Sequence, residues 1–145
     1  PAADPRPAEA LPDPSPEVAA FLAALPPASA AALRRLRLLI LEGAALDPRI
    51  GPLEESLKWG QPAWRARRAV GTTVRIDLAG RGPGEVSLFF HCRTGLVESF
   101  RERHAGRFAF HGNRELSCPA DAIPEAAVRD CAATALGWRL PRPGG

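Results

Sequence analysis

The stretch Thr72-Thr73-Val74-Arg75-Ile76-Asp77-Leu78, followed by Gly80-Arg81-Gly82-Pro83-Gly84 and Val86-Ser87-Leu88-Phe89-Phe90-His91-Cys92, sets the fold class. Side chains alternate across a strand, so Val74, Ile76 and Leu78 share one face while Thr73, Arg75 and Asp77 share the other. Val86, Leu88 and Phe90 repeat the pattern. Glycine and proline between the two runs predict a turn, hence an antiparallel hairpin. A phosphate loop would instead need a helix N-terminus after the glycines, to aim amides at the anion.

Outward from the hairpin the period changes. Upstream, Val18, Phe21, Leu22 and Leu25 recur at helical spacing behind Ser15 and Pro16, a residue pair suited to a helix start. Pro26 and Pro27 break that helix, Ser29 offers a new cap, and 30–41 predicts a second helix. Its stripe is Leu33, Leu36 and Ile40, with Leu38, Leu39 and Leu41 spreading apolar surface to other sides. Gly43, Asp47-Pro48 and Gly51-Pro52 are expected to end helical structure. Residues 56–59 alternate like a strand, Gly60-Gln61-Pro62 interrupts them, and Ala63 and Trp64 resume.

Downstream, Thr94 caps a predicted helix over 95–104, and Gly112-Asn113 turns a smaller hairpin over 108–117. Pro124 then opens a last helix whose stripe is Val128, Cys131, Ala132 and Ala135, with Trp138 on the same side. The expected fold is α+β, with N-terminal helices and a C-terminal helix packed on an antiparallel sheet. Residues 15–139 read as one domain, 1–14 as a disordered Pro-rich tail and 140–145 as a flexible end.

The whole chain has 145 residues, enough to bury a sizeable core. Hydrophobic residues make up 46% and charged residues 24%, which excludes a wholly disordered or fibrous chain. The pI of about 9.3 coexists with a net charge of only +3 because Lys58 is the only lysine and arginine supplies the other cations. An alanine, proline and arginine bias of this kind suggests a GC-rich coding genome. Cys92, Cys118 and Cys131 show no CxxC spacing, which argues against a zinc ribbon or a disulfide framework. No apolar run approaches the ~18 to 20 residues of a membrane span, and no basic-then-apolar leader opens the chain, so no membrane association and a cytoplasmic location are expected.

The most individual segment is Lys58-Trp59-Gly60-Gln61-Pro62-Ala63-Trp64. It resembles the central motif of the YdhG-like family, domain of unknown function 1801, in which KWGQP and a following aromatic sit behind a leucine-rich helix. The likeness runs from about Pro16 to Trp138 and includes LRRLRLLILE, VSLFFHCRTGLV and RFAFHGNREL. It departs at Trp64, where many relatives have tyrosine, and in the Pro-rich N-terminal stretch. The resemblance implies a compact α+β domain. It says little of activity, although some members carry a frataxin-like iron-chaperone label.

Two readings of the 58–64 segment stay open. As a small-molecule site, the indoles of Trp59 and Trp64 form walls, Gln61 donates and accepts, Lys58 supplies a cation, and His91 stands beside the cleft. As a structural bend, Gly60 and Pro62 shape the chain while both indoles are buried. His91 and Cys92, adjacent on a strand, should face opposite ways and share no metal, and His104 and His111 lie on other elements. Loose iron binding calls for clustered carboxylates, yet Glu54-Glu55 is the only adjacent acidic pair. No cofactor, metal ligand or catalytic set emerges. Arg65, Arg67 and Arg68 read as a solvated loop, which does not favour nucleic acid, and a homodimer through edge strands is open. The expected function is therefore a non-enzymatic small-molecule or protein-interaction module, with frataxin-like iron handling as the alternative.

Overall fold

The computed structural model describes residues 12–80 and 84–141. In these, α1 (Pro16–Ala23) and α2 (Pro27–Ala45) lead into β1 (Leu53–Lys58), β2 (Gln61–Ala66), β3 (Val74–Leu78) and β4 (Glu85–Phe90). A 3-10 turn (Cys92–Thr94), α3 (Leu96–Arg103), β5 (Ala109–His111), β6 (Glu115–Pro119) and α4 (Glu125–Leu136) follow. The strands form one antiparallel sheet in the order β1-β2-β3-β4-β6-β5. The fold is α+β, with helices packed on an antiparallel sheet.

Of the expected Pro-rich tail, 1–11 lie outside the described residues, as do 81–83 of the expected glycine turn and 142–145 of the C-terminal end. Pro12 and Pro141 are tied to the body through their carbonyls, which accept hydrogen bonds from Arg37 at 2.8 Å and Arg49 at 2.9 Å respectively.

Ser15 caps α1 as expected, its hydroxyl accepting from the Val18 amide. The second helix departs from expectation at both ends. It begins at Pro27 without a Ser29 cap, because a proline at the first helical position has its φ already set and lacks an N–H that would go unused. It also runs through Gly43 to Ala45. A Cβ on Gly43 would lie 2.4 Å from the Arg129 carbonyl oxygen, so the glycine sits inside the helix where α4 crosses closely rather than marking its end. Trp138 departs too: α4 stops at Leu136 and the indole is 41% exposed, off the buried stripe.

Alternation gives the sheet two unlike faces. Leu57, Trp64, Val74, Ile76, Val86, Leu88, Phe90 and Leu116 join Leu22, Leu33, Leu36, Ile40, Phe100 and Val128 of the helices in one core. Phe90 meets Phe100 edge to face, with centroids 5.1 Å apart. The other face carries the intervening residues, among them Gln61, Arg75, Asp77, Ser87, Phe89, Glu115 and Ser117.

Candidate functional site

The site is built on the β1–β2 hairpin. Lys58 opposes Gln61 in the ladder, so Trp59 and Gly60 form a two-residue turn. Both have positive φ, 55° and 75°, as a type I′ turn requires. The expected interruption at Gly60-Gln61-Pro62 is therefore shifted by one residue, with Gln61 and Pro62 already in β2. Register places Pro62 against Leu57 on one side, while the β2–β3 ladder contains only Ala63–Arg75 and Trp64–Val74. That ladder stops short of Pro62, which has no N–H to donate.

This turn separates the residues that the sequence grouped. Gln61 and Trp64 lie an odd number of positions apart on one strand and point to opposite faces. Trp64 is sealed in the core at 1% exposure, and its Nε1 donates to Glu55 Oε1 at 2.7 Å. Trp59 is 89% exposed at the hairpin tip. The pocket with two indole walls is not formed. Lys58 is exposed and does not line the groove beside it.

What the fold brings together is Trp59, Gln61 and His91 with five residues outside the predicted set, Arg75, Phe89, Phe90, Cys92 and Arg114. They line a groove of about 500 Å³ across β2, β3 and β4. Arg75 opposes Phe89 in the ladder, and its guanidinium lies over that ring, 5.5 Å from the centroid. The Gln61 amide is oriented by two bonds: Oε1 accepts from Arg75 Nη1 at 2.6 Å, and Nε2 donates to Asp77 Oδ2 at 3.1 Å. The other Asp77 oxygen accepts from the Leu78 amide. Gln61 thus stands between the carboxylate and the guanidinium. Neither Arg75 nor Arg114 is in an ion pair among the described residues, and Arg75 is made less basic first by burial and then by the Arg114 charge.

His91 and Cys92 also depart from expectation, because β4 ends at Phe90 and the chain enters the 3-10 turn. Both therefore line the same groove instead of facing opposite ways. The His91 Nδ1 accepts from the Arg93 amide at 3.1 Å, so a neutral ring carries its proton on Nε2. Cys92 is exposed, whereas Cys118 and Cys131 are buried. Burial, with the Glu85 charge behind it, pushes the Cys118 thiol up to about 11, and burial pushes Cys131 up as well.

Elsewhere on that face, His111 Nε2 and Ser117 Oγ lie 2.7 Å apart. Nucleophilic attack would need a hydroxyl that substrate can reach, and Ser117 is only 1% exposed. No group of three His, Cys, Asp or Glu residues able to hold a metal ion occurs among the described residues, and no helix among them is long and apolar enough to cross a membrane. A second, mostly apolar cavity of about 600 Å³ lies between the end of α2 and β1, lined by Leu41, Ala44, Pro48, Leu53 and Trp64 among others. No family model, curated protein or solved structure matches the chain, so the likeness to the YdhG-like family rests on the quoted residues.

Proposed function

We propose that this chain is a non-enzymatic, YdhG-like small-molecule-binding protein whose site is the groove beside Trp59, Gln61 and His91. The observation that supports the reading most is Trp59 itself. A bulky residue held at positive φ is strained, and an indole left almost wholly in water gains nothing from the core. Held at the lip of a polar and aromatic groove, it is suited to cover a ligand that Gln61 and His91 orient.

The test is a metabolite panel read by melting temperature and indole emission. A ligand should shift both, and Gln61→Ala should weaken it about tenfold, the worth of a lost hydrogen bond, while the melting temperature of the free protein holds. A broad panel that moves neither signal would remove the reading. Iron handling is the other proposal from the resemblance, and no arrangement of side chains in the described residues favours it.

A further inference from the structure

We infer that the groove selects a small organic oxyanion, a carboxylate or phosphate gripped by Arg75 and Arg114; this rests on the groove being the binding site proposed above. The fold sets two guanidiniums along one groove and supplies neither with an ion-pair partner among the described residues. The nearby carboxylates have other bonds. Asp77 takes the Gln61 amide and the Leu78 N–H, and Glu115 accepts from Ser87 Oγ at 2.7 Å. Arg75 spends one N–H on a neutral amide oxygen and rests on a phenyl ring, which fixes its plane while leaving other donors of the fork unused.

Such an arrangement suits an anion. Two like charges brought together repel, an oxyanion between them relieves the repulsion, and guanidinium matches carboxylate or phosphate by parallel charge-assisted bonds. Gln61 makes the selection sharper. Were Arg75 bonded directly to Asp77, an incoming anion would have to displace a carboxylate; the amide between them leaves the guanidinium available and positioned. The indole at the rim would lie beside the organic part of the ligand, so a ring bearing the anion is the probe of choice.

Phenyl phosphate, benzoate and neutral benzyl alcohol are titrated against the full chain at low ionic strength. Indole emission and protection of Cys92 from maleimide are followed together. At least one anion is expected to bind tenfold or more tightly than benzyl alcohol, and which one does so separates phosphate from carboxylate. Arg114→Gln, at an exposed position that the core does not use, should weaken that anion by roughly 10- to 100-fold, and Arg75→Gln should do the same. Added salt should weaken it further. If benzyl alcohol binds as well as the anions, or if both variants bind the anion as the parent does, the oxyanion inference falls while the groove survives as a site. Absence of any emission change and of any Cys92 protection at millimolar probe removes the inference and counts against the site. Tighter binding of an oligothymidylate, with affinity rising with its length, would assign the arginines to nucleic acid and overturn the inference too.

Discussion

At the scale of single residues, Trp59 and Trp64 show how one motif can hold two unlike roles. Five positions apart in the hairpin, one is at its tip with positive φ and the other is buried at 1% exposure. Asparagine tolerates the left-handed region and favours the first place of a two-residue turn followed by glycine. Trp59→Asn should therefore raise stability by about 0.5–1 kcal/mol in a denaturant melt while abolishing ligand-induced emission changes. A destabilised variant would show that the exposed indole makes contacts that matter to the fold. Trp64 leads to Glu55, its cross-strand partner. That carboxylate accepts from the Ser15 amide at 2.6 Å, from the Trp64 indole and from Arg37 Nε at 2.8 Å, joining α1, α2 and β2 at one point. Burial pushes its pKa up, but the three donors and the Arg37 charge outweigh burial and hold it below the ordinary value of 4.5. A carboxyl depressed in the folded state stabilises fully above its unfolded pKa, and the contribution is lost as pH falls through the folded value. Stability should thus drop on acidification below about pH 4.5. Glu55→Gln should lose about 3 kcal/mol at neutral pH, because the largely buried Arg37 is left without its counter-charge, and should flatten that acid limb.

At the scale of elements, the readable parts were those with a clean period. The β3–β4 hairpin follows from Val74, Ile76, Val86 and Leu88, and the small β5–β6 hairpin from Gly112-Asn113. The β1–β2 turn was displaced by a residue because glycine and proline draw a turn towards themselves, whereas here a tryptophan takes the first turn position. That one-residue shift divided the predicted site, since it puts Gln61 and Trp64 on opposite faces. Arg75 was legible as an outward strand residue, but its partnership with Phe89 depends on register and its proximity to Arg114 on the β4–β6 pairing, which no local pattern encodes. Close approaches were equally hidden. Gly43 reads as a helix stop, and no pattern singles out Gly71 in the loop between β2 and β3, yet a Cβ on Gly71 would lie 2.0 Å from the Leu136 carbonyl oxygen. The loop is stitched there to the end of α4 and the residues that follow it, with the Thr72 amide donating to Ala135 and the Arg139 amide to Val70, both at 2.8 Å. Gly71→Ala should force that seam apart and lower stability by about 3 kcal/mol, measured by chemical denaturation. Gly80→Ala, with open space at its Cβ, is the control and should be close to neutral.

At the scale of the whole molecule, the three cysteines report on whether sheet and helices share one core. Cys92 stands at the groove on the polar face, Cys118 points inward from β6, and Cys131 lies where α4 is buried in the cluster that also holds Leu36, Trp64 and Phe90. Thiol reagents attack the thiolate, so burial protects Cys118 and Cys131 twice, by closing access and by raising their pKa. In native buffer one thiol should react promptly, and Cys92→Ser should remove that reaction. With rising denaturant the two protected thiols should become reactive along a single transition that coincides with loss of helical circular dichroism, because opening either the sheet or the α2–α4 layer exposes the same apolar surface. Release of Cys131 well before Cys118 would mean that α4 leaves the sheet as a separate unit. The groove would then have to be traced to the sheet and the 3-10 segment that leaves β4, since each of its lining residues from Trp59 to Arg114 lies on a strand, in a hairpin turn or in that segment.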